Sequence, residues 1–278
     1  MNNKSVAPAS MEPAITSVRI VDIGAPLQWL SLGWQDLRRN IWLSLSHGVV
    51  LTVFAWLLLA FAHQKFWLLA GAFSGFLVVA PVLATSLYAM SRAMAHRRPV
   101  HVRLLQDTWM SWQQSRLSEP AGYWSLVRFG LLLALAGTGW VMTSAALITL
   151  MSPAPINTPL DFLRVIVLDD DSLLFETWLL MGGVLAAPIF ASTVVSMPLM
   201  LDRRISAMPA VLTSWQVVLA NPAPMAVWAA LIMLLVLLGF ATAMLGLVVL
   251  IPLLGHASWH AYAALVDSSH LPERPLGD

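Results

Sequence analysis

The sequence predicts an all-α polytopic membrane protein: a transmembrane helix bundle of about six spans, arranged as three hairpins, with amphipathic helices beside the membrane. Three observations carry this. Hydrophobic residues make up 59% of the 278 residues and charged residues only 10%. A soluble domain carries about 25% charged residues, so this chain could not clothe a water-facing surface. Mean hydropathy is +0.77, and the apolar residues fall in runs of the ~20 needed to cross a ~30 Å hydrocarbon core as a helix. Thirteen tryptophans against three tyrosines suit a chain with many membrane–water boundaries, where indole rings prefer to lie.

The elements follow in order. Residues 1–18 read as a disordered cytoplasmic tail. MNNKSVAPASMEPAITS has neither the apolar run nor the cleavage site of a signal peptide, so the first span would act as the insertion signal. A single membrane domain runs over 19–266, and 267–278 reads as a flexible cytoplasmic tail. IWLSLSHGVVLTVFAWLLLAFA, 41–62, is the first span. The polar turn His63-Gln64-Lys65 leads to the second, 66–90, which holds the glycine pair Gly71 and Gly75 at the spacing that allows close helix approach. A basic loop with Arg92, Arg97, Arg98, Arg103 and Arg116 precedes the third span, 124–150, and an acidic loop separates it from the fourth, 173–200. The apolar stretch 225–265 would be roughly 60 Å long as one helix, twice the core thickness. It divides into spans at 225–240 and 243–265 with a tight turn near Gly239–Thr242.

Lysine and arginine placement sets the orientation. Arg38-Arg39, the 92–116 loop and Arg203-Arg204 fall on one side; Lys65, Arg164 and the acidic loop fall on the other. Both termini are therefore expected in the cytoplasm. Within the acidic loop, Thr158 is placed to cap a short helix with Pro159 at its first position. Asp169, Asp170 and Asp171 read as solvated acids before span four, with a hard-cation site as the alternative.

Three stretches look alike. Gly33-Trp34-Gln35, Ser111-Trp112-Gln113 and Ser214-Trp215-Gln216 each open a polar segment that enters a span. The second helix of each hairpin carries a shared word: APVLATSLYAM from Ala80, APIFASTVVSM from Ala187 and IPLLGHASWHA from Ile251. The pattern suggests three copies of one unit, a surface helix followed by a hairpin, with the repeat axis along the membrane normal. In each second helix a proline (Pro81, Pro188, Pro252) frees the carbonyl four residues earlier, at Leu77, Val184 and Val248. In lipid that oxygen needs a partner from protein or water. Four residues after each proline stands a polar side chain, Thr85, Ser192 or His256. Pro81, Thr85, Pro188, Ser192, Pro252 and His256 are thus the candidate kink or cavity positions. Kinked, tight packing is the plainer reading and a polar-lined cavity the functional one.

His256 and His260 share a helix face. They are the candidates for a metal site, which would need a third ligand from His96, His101 or a loop carboxylate. Interfacial, hydrogen-bonded histidines beside Trp259 and Tyr262 are the plainer expectation. A haem requires axial ligands from opposite sides, and only His47 lies within another span. No metal or cofactor is therefore assigned. The absence of cysteine excludes disulfides, thiolate metal sites and a cysteine nucleophile. Motifs for a nucleophile elbow, a zinc protease, a P-loop or a dinucleotide fold are missing, so no catalytic residue is assigned and the chain is expected not to be an enzyme. The spans carry almost no charge, unlike most ion-coupled transporters. Nothing points to nucleic acid. The expected partners are membrane lipids and a membrane protein complex.

PLQWLSLGWQDLRRN (26–40), TPLDFLRVIV (158–167) and the last third ending in GHASWHAY resemble a family of bacterial integral membrane proteins. Some of its members carry the label of a cytochrome c oxidase subunit. The resemblance implies an inner-membrane location and no particular chemistry. The leading functional expectation is a non-enzymatic accessory, assembly or scaffold protein. The alternatives are a small-molecule or lipid transporter with a central cavity between proline-kinked helices and, third, a metal- or haem-binding protein.

Overall fold

The computed structural model describes residues 17–62, 84–114, 124–169 and 172–275. The chain is an all-α helix bundle, and five of its described helices are long and apolar enough to cross a membrane. Ten of the described helices organise it: α1 (Ala25–Arg39), α2 (Ile41–Ala62), α3 (Thr85–Ala95), α4 (Val102–Gln114), α5 (Trp124–Met151), α6 (Leu174–Thr193), α7 (Ser196–Asp202), α8 (Ala207–Ala220), α9 (Pro222–Ala241) and α10 (Leu247–Leu265). The bulk of the second expected span, with Pro81 and the Gly71/Gly75 pair, lies outside the described residues; its end continues as α3.

The amphipathic helices form where the sequence alternates on a helical period. In α1, Pro26 sits in the first turn and Arg38 and Arg39 in the last, where cations suit the helix dipole. Trp29, Gly33, Asp36 and Leu37 fall on one face and are buried, against α10. Asn40 closes the helix, its N–H reaching Asp36 O. The same order of a shorter helix followed by a span recurs in α4–α5 and α8–α9.

α10 is the hub: it packs on α1, α2, α3 and α9. Three glycines permit this. A Cβ on Gly33 would stand 2.7 Å from Ala257 N, and one on Gly48 would overlap the Val248 carbonyl group. A Cβ on Gly255 would collide with the Leu87 side chain. The Gly48 contact answers a need visible in the sequence. Pro252 lies inside α10 and cannot donate to Val248 O, and that oxygen faces the Gly48 backbone of α2. The approach is close enough for a Cα–H···O contact, which any side chain would block.

The turn between the last two spans falls at 242–246, slightly later than the sequence suggests. Thr242 explains the shift. Its hydroxyl donates to Gly239 O at 2.8 Å and accepts from Gly246 N at 2.8 Å. Ala243 and Met244 take left-handed backbone angles, φ 52 and φ 69, and Trp56 Nε1 donates to Ala243 O at 2.9 Å.

The fourth expected span is one helix to Thr193, then a break, then α7. At the break Val195 N donates to Ser214 Oγ on α8 (3.3 Å), and Ser196 Oγ donates back to Ser192 O (2.6 Å). α5 and α6 pack together. Trp178 donates to Ser144 Oγ at 2.6 Å and meets Trp140 and Phe162 at ring-centre distances of 5.7 and 5.4 Å. Trp178→Phe keeps most of the ring packing and loses the hydrogen bond. It is expected to cost about 0.5–1.5 kcal/mol, read as a lower unfolding midpoint in detergent. The loop before α6 is capped as expected: Thr158 Oγ1 accepts Asp161 N–H at 3.2 Å, and Asp161 accepts the N–H groups of Asn157 and Thr158. The helical turn Pro159–Phe162 then widens into a π-helix over Leu163–Val167 that buries Ile166. Asp170 and Asp171 lie outside the described residues.

The described parts of the terminal segments, 17–18 and 267–275, differ from the sequence reading of free tails. Ser17–Val18 pairs antiparallel with Val266–Asp267, and Asn221 clasps Val21 N and Arg19 O. The stretch after 267, expected to be flexible, packs under the helix ends. Arg274 is buried, and its Nε donates to Met200 O at 2.7 Å. Polar side chains of α7 and α3 supply the partners that composition alone could not assign.

Candidate functional site: a buried polar cluster

Most of the buried polar chemistry gathers at one end of the bundle, where α1, α3, α7 and α10 meet. This is the end that carries the exposed Arg38, Arg39, Arg97, Arg98 and Arg204. The cluster has two arms joined through the adjacent residues Ser91 and Arg92 of α3.

The first arm centres on His256, which is fully buried. Its Nε2 lies 3.0 Å from Ser44 Oγ on α2 and its Nδ1 2.8 Å from Ser91 Oγ. Ser91 donates to Asp36 Oδ2 on α1 at 2.8 Å, and His260 Nε2 reaches the same oxygen at 2.8 Å. A serine hydroxyl has one proton. Ser91 spends its own on the carboxylate, so with a neutral ring it accepts from His256 Nδ1–H. Nε2 is then the acceptor for Ser44. Asp36 is buried, and burial pushes its carboxyl pKa up. Hydrogen bonds from His260 and Ser91, with the nearby imidazoles, outweigh burial and hold the group below the usual carboxylate value.

The linkage has a definite sign. A depressed folded-state pKa gives stability that is complete above the unfolded value of 3.8 and is lost as pH falls below it. The detergent-solubilised protein is therefore expected to lose thermal stability as pH falls below about 4. Asp36→Asn should flatten that slope in a melting series.

The second arm centres on Asp202, at the end of α7. Arg92 Nε bonds its Oδ1 at 2.7 Å, with side chains only 3% and 6% exposed. Arg92 Nη2 also donates to Asp202 O (3.1 Å) and Arg274 O (2.6 Å). Asp202 Oδ2 accepts from Tyr262 Oη of α10 at 2.7 Å and from Arg203 Nε at 2.9 Å. Arg203 continues outward to Glu273 at 3.2 Å, and Tyr262 Oη also meets Ser268 Oγ at 2.8 Å. Paired and hydrogen-bonded in this way, the buried charges avoid the penalty of isolation.

The sequence-derived positions fare unevenly. Thr85, Pro252 and His256 are buried, on the packed helices α3 and α10. Pro188 and Ser192 sit on α6, which packs on α5 and α8. Pro188 is exposed, and Ser192 accepts from Trp215 Nε1 at 3.0 Å. The polar positions therefore do not converge on one cavity as the repeat frame suggested. The reason is the break at 194–195, which turns α7, not α6, towards α3 and α10. His256 is hydrogen-bonded, and fully buried: both ring nitrogens are spent on hydroxyls inside the bundle, and its link to His260 runs through Ser91 and Asp36. His260 is the partly exposed one of the pair. Sequence reasoning missed Asp36, Ser91, Arg92, Asp202 and Tyr262. The usable signal was a charged or polar residue inside, not beyond, the last turns of the helices that end on the basic side.

This fold and cluster define a polytopic helical membrane protein with its buried charges gathered at one end. Residues 68–202 match the model of a family described as predicted integral membrane protein (DUF2189). The match spans just under half of the chain and takes in Ser91, Arg92 and Asp202. Of the stretches that carried the resemblance, TPLDFLRVIV lies within it, and the description names no oxidase. No curated protein and no solved structure matches the chain.

Proposed function

We propose that this chain is a non-enzymatic accessory or scaffold protein of the bacterial inner membrane, with both termini in the cytoplasm and a membrane protein complex as partner. The observation that carries the reading is the second arm of the cluster. The charged groups Arg92, Asp202, Arg203 and Glu273 are bonded to one another across α3, α7 and the C-terminal segment. Such a closed network spends charge on fixing helix ends. The outer faces of the bundle support the same reading: in α2, α5 and α9 only 22% of the apolar window is buried within the chain. These helices present their sides to lipid or to neighbouring helices, and the rigid basic end holds them in place.

The test is purification of the tagged protein from native membranes in mild detergent, with identification of whatever accompanies it. A membrane complex in near-stoichiometric amount is the expected result; a protein that is always alone, with lipid only, contradicts the scaffold reading. The orientation has its own test. A reporter fused within the acidic loop at Asp169 is expected to be active only outside the cytoplasm, since the arginines cluster at the opposite end. Cytoplasmic reporter activity there would reverse the topology.

A further inference from the structure

We propose that Ser44, His256, Ser91 and Asp36 form a proton-transfer chain, through which a proton arriving at His256 inside the bundle is released at the basic face beside His260 and Arg39. The hydrogen bonds along it share one direction. Asp36 accepts from Ser91, Ser91 accepts from His256 Nδ1–H, and His256 Nε2 accepts from Ser44. Distances are 2.8, 2.8 and 3.0 Å. Every hydrogen in the resting pattern points from the membrane-embedded helix α2 towards one carboxylate.

The ends of the chain differ as such a path requires. At the outer end Asp36 Oδ1 lies 3.6 Å from Arg39 Nη1, whose side chain is 63% exposed, and Oδ2 meets the partly exposed His260. At the inner end Ser44 is fully buried. Gly48 and Thr52 continue its face of α2 at four-residue spacing. Thr52 Oγ1, two turns deeper on that face, is buried and has no hydrogen-bond partner among the described residues.

The step balances. A proton added at Nε2 lets Nδ1–H pass to Ser91 Oγ while the Ser91 proton passes to Asp36 Oδ2. One proton has entered, and Asp36 gives one up to solvent on the side of its carboxylate where Arg39 and the partly exposed His260 stand. Rotation of the hydroxyl and a tautomer change of the ring restore the starting pattern. The titratable groups acting on His256 are Asp36 from α1, His47 from α2 and His260 from α10 itself, and Tyr88 of α3 is bonded to Ser258. Arg92 of α3 is committed to Asp202, and α9 carries no titratable side chain.

The experiment is hydrogen–deuterium exchange of histidine ring N–H groups and backbone amides, read by NMR on the full-length protein uniformly labelled with ¹⁵N in detergent micelles. The backbone amides of Gly255 and Ala257 serve as internal references. In the wild type the His256 Nδ1–H is expected to exchange at least tenfold faster than those amides, although the residue is fully buried. Ser91→Ala and Asp36→Asn should each slow it at least tenfold, and Ser91→Thr, which keeps a hydroxyl, should restore it. Exchange no faster than the flanking amides in the wild type overturns the proposal, and that measurement needs no variant to fold. Fast exchange that survives both Ser91→Ala and Asp36→Asn overturns it equally, because the proton then leaves by another route.

Discussion

Arg92→Ala is expected to destabilise the protein by about 3–5 kcal/mol, the range for breaking a buried ion pair from one side. The variant removes the partner of a carboxylate whose side chain is 6% exposed and leaves Asp202 Oδ1 without its cation. It also strips two main-chain oxygens, those of Asp202 and Arg274, of their donor. The measurement is an unfolding series in mild detergent, by circular dichroism or by resistance to proteolysis. The C-terminal segment should become the first site of cleavage, since Arg92 holds it through Arg274 O. A change below about 1 kcal/mol, the usual value for a surface pair, would mean that the ion pair is solvated.

Gly48→Leu is expected to be as damaging for a different reason. The new Cβ would coincide with the main-chain carbonyl of Val248, and a backbone atom in a helix cannot rotate away as a side-chain tip can. Overpacking a core typically costs about 1–3 kcal/mol. This substitution should lie at or beyond the top of that range, because α2 must move bodily off α10. The same movement would pull Ser44 from His256. Yield of folded protein and the unfolding midpoint both report it. Gly139→Leu is the matched control: a Cβ there meets nothing within 4 Å among the described residues, so the stability should stay within about 0.5 kcal/mol of the parent.

Much of the architecture is legible in the sequence because hydropathy is a long-range property of a run. The first span, 41–62, coincides with α2, and the division of 225–265 into two helices follows from length alone. Thr158 capping is legible because it depends on residues three apart. The cluster is not legible in the same way. Asp36 and His260 are far apart in sequence, as are Arg92 and Arg274, and an arginine at a helix end reads as an ordinary topology signal. Burial is what distinguishes Arg92 from Arg97 and Arg98, and burial depends on the fold of the whole end. The proline rule gave the correct need at Val248, where Gly48 meets it. It could not foresee that the break after Thr193 would turn α6 aside, leaving Pro188 exposed.

The account holds that the ion-pair arm fastens α3, α7 and the C-terminal segment into one unit. A double-mutant cycle on Arg92 and Asp202 tests this most directly, using Arg92→Met, Asp202→Asn and the pair, with unfolding free energy measured in one detergent. The predicted result is strong coupling, above about 1.5 kcal/mol, with the double variant much less damaged than the sum of the singles. Additive losses, with coupling within about 0.5 kcal/mol of zero, would contradict the account.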